Sequence, residues 1–600
     1  MNGEGRIAIV GFMSDNTSRR RGGDSSRRSS DRSTTAEGTS VAPGARKAET
    51  SSSKKPASKT TSKTTSKTTG KKPATKASST TETKKQPRAA TAKTKTTSKT
   101  TSKTTAREAP KAEAARAPAK STRRKTAKAA AAAEIKSGDP TANPAQRITG
   151  YPAAVRWLLE LNDIERQRVV KYDADGDFKL DRMRALLAEL GDPQQQFRSV
   201  HVAGTNGKGS TVAMMSAMLR RCGYAVGSFT SPHLTDIRER VSINGQLIGR
   251  PEFTELMRKV AEASVKIGEQ PTFFEAMTAI GFLYFAEQAV DVALIEVGLG
   301  GRLDSTNVIV PVLSIITEIQ LDHTRILGPD LASIAREKAG IMKPGVPVIT
   351  REQDESIEPV LIGAAEKVGT SIRFVNREIE FSNRFCSTAE LGPHNRVCLY
   401  TETSRLEHLP VPLPGEHQAY NCGLALAAVD HLKSIGFDCP EAVVTAGLDD
   451  TVIPGRMELV WDRPRILVDG AHNPDSLGAL MRCVGAHVPY DSMVCVFGCG
   501  QDKDVESLLD RVSLGADKVI FTRASSNPRA CDPEDLRRRF MERSGKMCQT
   551  AGTVEEALEL AARAVSRDDL ICVTGSFYLV GESMKHLEAL RKSREEPVAT

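Results

Sequence analysis

A glycine-rich segment about one third of the way along the chain combines the residue types that bind phosphate groups. Its glycines let backbone N–H groups converge on phosphate oxygens, and the helix start that follows adds partial positive charge. Lys208 can reach the β- and γ-phosphates of a nucleotide, and Ser210 or Thr211 can lie near a Mg²⁺ ion. Gly209 separates the lysine from these hydroxyl residues, and a tight turn without a ligand is the alternative interpretation. The segment comprises Gly204, Thr205, Asn206, Gly207, Lys208, Gly209, Ser210 and Thr211.

Two polar sites follow apolar segments that have the pattern of buried strands. Glu296 ends the apolar run 291–296, and Asp322-His323 follows the run 313–318. Acidic residues that hold a metal ion are commonly found at the end of a parallel strand, beside a phosphate-binding loop. The alternatives are a helix-capping carboxylate and a structural histidine. His323 follows its strand much as Glu296 ends the preceding one, and this equivalent position favours a metal-binding role for His323.

The elements that must position these residues alternate between strand and helix. A short strand at 197–203 precedes the glycine-rich segment, and a helix with apolar residues at helical spacing follows at 212–219. Further strands are predicted at 224–230 and 346–350, whereas 375–412 lacks helical spacing and favours antiparallel strands. The alternation predicts an α/β fold with a doubly wound, mainly parallel sheet and a ligand at the carboxyl ends of its strands.

A second and smaller α/β series follows the turn at 453–456, which we interpret as an interdomain hinge. Its strands each run into a small or polar loop, which is the pattern of a Rossmann-like domain. Because 600 residues are too many for one hydrophobic core, more than one domain is expected. We predict a phosphate-binding central domain at 148–452 and a C-terminal Rossmann-like domain at 457–600.

The first 135 residues form a basic tail of low complexity. They hold 32 Lys and Arg against 10 Asp and Glu, and Ser-Lys-Thr-Thr repeats three times over 58–69 and twice over 98–105. Too few large apolar residues are present to offset the entropy of ordering, which predicts disorder over 1–135. The tail either binds nucleic acid or another polyanion through counterion release, or is a solvated segment without a specific partner. An Asp-rich stretch at 173–177 superficially resembles a Ca²⁺ loop, but its pattern favours an exposed turn.

Cysteine usage and hydropathy indicate the compartment. The 11 cysteines all lie at or after Cys222, and none forms a Cys-x-x-Cys pair. This usage favours buried thiols in a reducing cytoplasm over disulfides or a zinc site. No apolar run approaches the length of about 20 residues that spans a bilayer. We therefore predict a cytoplasmic protein without a membrane partner.

Ten segments in a fixed order resemble the folylpolyglutamate synthase/dihydrofolate synthase family, a branch of the Mur-ligase-like ATP-dependent amide ligases. The resemblance covers roughly residues 148–590 and leaves the basic tail outside it. It implies that ATP phosphorylates a pteridine-bearing carboxylate and that L-glutamate attacks the acyl phosphate to form an amide. The segments are HVAGTNGKGST, TSPHL, TFFEAMT, EVGLGGRLDSTN, LDHTRILG, REKAGIMK, GEHQAYN, PGR, DGAHNP and GSFYLVGE.

The resemblance also implies roles for individual residues. Residues 204–211 would hold the ATP phosphates. Catalysis would involve Lys208, His323 and Lys338. Of these, Lys338 matches a lysine that is carbamylated in the family. The nucleotide site would be completed across the hinge by Asn421, Arg456, Asp469 and His472. The Mg²⁺ ligands would be Ser210, Ser231, Glu296 and His323. The pteroate-binding residues would be Leu180, Asp181, Arg182, Thr272, Phe273, Phe274, Glu275, Leu303, Asp304 and Ser305.

Several alternatives stay open at this stage. A Mur ligase acting on a cell-wall nucleotide precursor is the competing enzyme, although Gly209 and the pterin segments argue against it. A protein that binds DNA or another polyanion through its basic tail is the alternative from another class. Within the resembled family, the substrate could be dihydropteroate, a reduced folate or both, and we favour both. The family is usually monomeric, and so a monomer is expected here.

Overall fold

The computed structural model describes residues 143–163 and 180–595. The predicted basic tail over 1–135 and the predicted turn at 173–177 lie outside these residues. Among the described residues, no helix is both long and apolar enough to cross a bilayer. The predicted domain bounds, 148–452 and 457–600, stay predictions.

The first half of the described chain is built on a sheet of eight strands, called the large sheet below. Its strand order is β4-β3-β2-β5-β1-β6-β7-β8, and all pairs from β2 to β8 are parallel. Only the β2–β3–β4 edge is antiparallel. The strands are β1 (Ser199–Ala203), β2 (Val226–Phe229), β3 (Val241–Ile243), β4 (Gln246–Leu247), β5 (Val292–Glu296), β6 (Leu313–Ile316), β7 (Val348–Arg351) and β8 (Ile372–Val375).

Helices cover both faces of the large sheet, as the strand–helix alternation predicts. Strands β1, β2, β5 and β6 are buried along their whole length, which is expected for parallel strands between two helical layers. The helices are α1 (Pro144–Arg147), α2 (Tyr151–Glu160), α3 (Leu180–Glu189), α4 (Lys208–Arg221), α5 (Arg250–Ile267), α6 (Phe273–Glu287), α7 (Thr324–Leu327), α8 (Leu331–Ala339) and α9 (Glu358–Val368). Short 3₁₀ helices span Pro193–Gln195 and Ile237–Arg240.

Three antiparallel strands interrupt the alternation, as predicted for 375–412. They are β9 (Glu380–Thr388), β10 (Gly392–Tyr400) and β11 (Arg405–Pro410), with β10 in the centre. Two helices follow, α10 (Glu416–Ser434) and α11 (Glu441–Asp449). Both pack on α4, and at Gly447 of α11 a Cβ would lie only 2.7 Å from the Met218 Cα. This close packing fixes the helix that begins at the phosphate loop.

The last third forms a second sheet of six strands, called the small sheet below. Its order is β12-β13-β17-β14-β15-β16, and only β12 is antiparallel. The strands are β12 (Glu458–Trp461), β13 (Arg465–Val468), β14 (Met493–Phe497), β15 (Lys518–Phe521), β16 (Cys548–Thr550) and β17 (Leu570–Thr574). The helices are α12 (Pro474–His487), α13 (Val505–Gly515), α14 (Pro533–Ser544), α15 (Val554–Ala564) and α16 (Phe577–Glu595). The two sheets confirm the predicted fold class.

Candidate active site

The carboxyl ends of both parallel sheets face one cleft of about 320 Å³. Strand β1 lies between β5 and β6, so the phosphate loop, Glu296 and His323 emerge side by side from the large sheet. The small sheet contributes the residues that follow β13, β14 and β17. Among the predicted site residues, those that line the cleft are Leu180, Gly204, Thr205, Asn206, Gly207, Lys208, Gly209, Ser210, Ser231, Thr272, Phe274, Glu275, Glu296, Leu303, Asp304, Ser305, His323, Lys338, Asn421, Arg456, Asp469 and His472.

Four predicted residues do not line this cleft in the part of the chain that the structure describes. The Thr211 hydroxyl donates to the Gly207 carbonyl at 3.0 Å, which turns it back into helix α4. Asp181 lies on the exposed face of α3, where it pairs with Arg184. Phe273 is buried in the core beneath the Arg240 guanidinium, 5.1 Å from its ring centre. Arg182 pairs with Glu275 and does not reach the cleft itself.

The phosphate loop has little freedom because helix α10 lies against it. Gly207 has a φ of +88°, and a Cβ there would lie 2.2 Å from the Asn421 Oδ1, so a side chain is excluded on both grounds. Helix α4 begins at Lys208 directly after this glycine. The Lys208 ammonium donates to the carbonyls of Gly204 and Thr205 at 3.1 and 3.3 Å. The amine is therefore held at the mouth of the loop, where a nucleotide phosphate would bind.

Glu296 is a buried carboxylate at the end of β5. It accepts the Ser231 backbone N–H at 3.2 Å, and its other oxygen lies 4.0 Å from the Lys208 ammonium. Burial raises the pKa of the Glu296 carboxyl, and the nearby Lys208 only partly offsets this shift. Because neighbouring groups only partly balance its negative charge, this buried carboxylate is suited to hold a cation.

Lys338, on helix α8, contacts the same loop. Its amine donates to the Gly204 carbonyl at 2.7 Å and is buried. Burial and the charge of Lys208 lower the pKa of Lys338 to about 7. A large fraction of this lysine is therefore neutral at physiological pH, unlike an ordinary lysine.

The small sheet places an acid, a guanidinium and an imidazole across the cleft from the loop. The Asp469 carboxylate accepts the backbone N–H groups of Met457 and Ala471 at 2.9 and 2.8 Å, and burial raises its pKa. The Phe577 ring lies 4.6 Å from the Arg456 guanidinium and 5.3 Å from the His472 ring. The same aromatic ring therefore contacts both the guanidinium and the imidazole predicted for the nucleotide site.

The predicted pteroate segments are joined by a buried ion pair. Arg182 of α3 donates to both carboxylate oxygens of Glu275, at 2.8 and 3.0 Å. Glu275 also accepts the Thr272 backbone N–H, which completes the cap of helix α6. In the third segment, Asp304 accepts the N–H groups of Gly298 and Leu299 at 3.1 and 2.9 Å. These contacts shape one wall of the cleft, from which Phe274 and Leu303 offer apolar surface.

Of the four residues predicted to bind Mg²⁺, only Glu296 carries a carboxylate. Among the described residues, no group of three or more His, Cys, Asp or Glu side chains could hold a metal by itself. Magnesium commonly takes one or two carboxylates and completes its shell with substrate phosphates and water. The buried Glu296 carboxylate beside the phosphate loop fits that donor set, whereas a site formed only by protein side chains does not.

Sequence reasoning missed several residues that line the cleft. Asp322 follows the run 313–318 beside His323 but had no predicted role of its own, and Lys503 ends the polar loop after β14. These positions were signals that could have identified both residues. Their pairing across 181 positions had no such signal. Further unpredicted residues of the lining include Arg351, His417, Gln418, Asp502, Arg529 and Phe577.

Two family models match, the Mur ligase middle domain at residues 202–429 and the Mur ligase, glutamate ligase domain at 455–577. The dihydrofolate synthase/folylpolyglutamate synthase of Bacillus subtilis is 35% identical over 68% of this chain and 95% of its own length. The chain therefore belongs to the dihydrofolate synthase/folylpolyglutamate synthase family of Mur ligases.

Solved structures agree with this membership. The folylpolyglutamate synthase of Mycobacterium tuberculosis, complexed with ADP and AMPPCP, has a TM-score of 0.64 at 32% identity, over 68% of this chain and 95% of that one. E. coli FolC in complex with DHPP and ADP also has a TM-score of 0.64, at 29% identity, over 74% of this chain and 99% of that one.

Proposed function

We propose that this protein uses ATP to join L-glutamate to the carboxylate of a pteroate or folate. The observation that carries the proposal is the single cleft in which the phosphate loop of the large sheet faces Arg456, Asp469 and His472 of the small sheet. A reaction between a nucleotide and two further substrates needs such convergence, because each must be held in reacting geometry. Family membership supplies the substrate class.

The reaction has two steps, phosphoryl transfer and amide formation. The substrate carboxylate attacks the γ-phosphorus of ATP, an acyl phosphate forms and ADP leaves. The backbone N–H groups of the loop and Lys208 stabilise the charge on the transferred phosphoryl group. The glutamate amine then attacks the acyl carbon, an amide bond forms and phosphate leaves. Water must be kept away from the acyl phosphate during this step, because it would hydrolyse the intermediate.

A Mg²⁺ ion would be held by Glu296 together with nucleotide phosphates, with Ser210, Ser231 and His323 as further predicted ligands. When bound, the ion neutralises charge on the phosphates and on the attacking carboxylate. Lys338 is proposed to carry a carbamate, as the family resemblance implies. Its pKa of about 7 supports this, because only a neutral amine reacts with CO₂.

Phosphate release tests the proposed function and separates its variants. Purified protein would be given MgATP and L-glutamate with either dihydropteroate or tetrahydrofolate. Release with dihydropteroate alone identifies a dihydrofolate synthase, release with tetrahydrofolate alone a polyglutamylating enzyme, and release with both, which we expect, a bifunctional one. If protein that binds ATP releases no phosphate with either substrate, the proposal is contradicted.

The proposal extends to the oligomeric state, the compartment and the basic tail. The protein is proposed to work as a cytoplasmic monomer, in agreement with its free, mostly buried cysteines. The basic tail is proposed to bind nucleic acid or another polyanion, on the strength of its charge alone. The cell-wall ligase considered above is not retained, since the chain belongs to the folate family.

A further inference from the structure

A buried ion pair crosses the cleft between the two sheets at the level of the phosphate loop. Asp322 lies in the loop between β6 and α7, and Lys503 lies in the loop after β14. The Lys503 ammonium donates to the Asp322 Oδ1 at 2.6 Å, and the two side chains are only 11% and 9% exposed. Burial makes the pair mutually dependent, because removal of either partner leaves an uncompensated charge in a poorly hydrated site.

The second oxygen of Asp322 extends the contact to the loop after β13. Asp322 Oδ2 lies 3.6 Å from the His472 Nε2 and 3.5 Å from the Asn473 Nδ2. The same Asn473 amide donates to the Asn206 side chain of the phosphate loop at 3.0 Å. One carboxylate of the large sheet therefore touches two separate loops of the small sheet, and one of those loops touches the phosphate loop.

We propose that Asp322 and Lys503 are positioning residues which hold the small-sheet loops against the phosphate loop, so that groups from both sheets meet in reacting geometry. Other contacts also join the two halves, such as the His487 Nδ1 with the Pro393 carbonyl at 2.8 Å. Loss of the ion pair is therefore expected to loosen the cleft without separating the sheets. A misplacement of about 1 Å can cost on the order of a hundredfold in rate.

The test uses the full chain with Asp322→Asn, Lys503→Met and the double variant. Each single variant should lower kcat by about 10- to 100-fold. The double variant should be no slower than the slower single one, because the two residues act as a unit. Lys503→Arg should retain most of the activity. The matched control is Lys259→Met, which removes an exposed ion pair with Glu287 on the large-sheet half and should leave kcat unchanged.

Hydrogen exchange provides a readout that does not depend on catalysis. Lys503→Met, a change in the small-sheet half, should accelerate amide exchange at 320–325 of the large-sheet half, and Asp322→Asn should accelerate it at 470–476. Multiplicative losses in the double variant, or unchanged exchange across the cleft, would overturn the proposal. So would a Lys503→Met variant in which only the KM for L-glutamate rises, because that result would make Lys503 a direct substrate contact.

The kinetic part rests on the proposed function, but the exchange part does not. If the wild-type protein releases no phosphate with any folate substrate, the proposed function fails. The exchange comparison would still decide whether the ion pair holds the two loops together.

Discussion

At the residue scale, the site contains ionisable side chains whose charged forms are destabilised by burial. Glu296 and Asp469 are buried carboxylates with raised pKa values, and Lys338 is a buried amine with a lowered one. Such perturbed groups gathered in one cleft are typical of functional sites, because ligands supply the missing counter-charge. The described site is thus prepared for phosphates and cations rather than for apolar ligands alone.

Removal of the phosphate-loop amine should abolish ligation without unfolding the protein. We expect Lys208→Ala to reduce phosphate release by at least about a hundredfold, because a preorganised charge on the transferred phosphoryl group is lost. Thermal unfolding should change little, because the described contacts of the Lys208 amine are with two loop carbonyls and, at 4.0 Å, with Glu296, whose buried carboxyl can take up a proton when the amine is removed. The control is Lys259→Ala, which removes an exposed ion pair outside the cleft lining. A Lys208→Ala variant with near-wild-type turnover would exclude the assigned role.

The lowered pKa of Lys338 makes carbamate formation depend on pH. The amine is protonated below its pKa of about 7 and neutral above it, so adduct formation should rise as the pH increases from about 6 to 8. Carbon-13 NMR of protein equilibrated with labelled CO₂, at a fixed concentration of dissolved gas, measures the adduct. Lys338→Arg serves as the control and should show no such signal. A signal that begins to rise only near pH 10 would mean that the amine is not desolvated as described.

At the element scale, the ends of the strands that lead into the phosphate loop and into Glu296 followed from local sequence patterns. The predicted strand at 197–203 ends at Ala203 as β1 does, and the apolar run 291–296 ends at Glu296 as β5 does. The β3–β4 hairpin and strand β8 were not predicted. β3 and β4 are only three and two residues long, and β8 has four, so periodicity has little to detect. Sequence patterns also gave no indication that Arg182 and Glu275, 93 positions apart, bind each other.

That ion pair should anchor helix α3 to helix α6. We expect Arg182→Ala to lower the free energy of unfolding by about 3 kcal/mol, because Glu275 would remain buried without its partner. The KM for the pteroate or folate substrate should rise while the KM for ATP stays constant. Chemical denaturation and steady-state kinetics measure the two effects. Arg184→Ala is the matched control, since its exposed pair with Asp181 contributes no more than about 1 kcal/mol. Equal effects of both variants would contradict this account.

At the scale of the whole molecule, charge separates the chain into two parts. Residues 1–135 carry a net charge of +22, whereas the remaining residues carry −12. An acidic ligase body does not favour nucleic acid, so any such binding should belong to the tail.

Deletion of residues 1–135 should therefore separate two activities. We expect the full chain to shift DNA in an electrophoretic assay at low salt, with binding that weakens steeply as salt increases. The truncated protein should not shift DNA, yet should release phosphate at the rate of the full chain. A full chain that binds no DNA even at low salt would identify the tail as a solvated segment without this partner.

The sequence by itself determined the fold class, the phosphate loop and the family. Each of these depends on local patterns: alternating strands and helices, glycine spacing and short collinear motifs. The tertiary structure decided which candidates act together. It turned Thr211 into its helix, paired Arg182 with Glu275, and brought Asp322 to Lys503 across 181 positions. Side-chain direction and long-range proximity arise from the packing of elements against one another, and no local pattern encodes that packing.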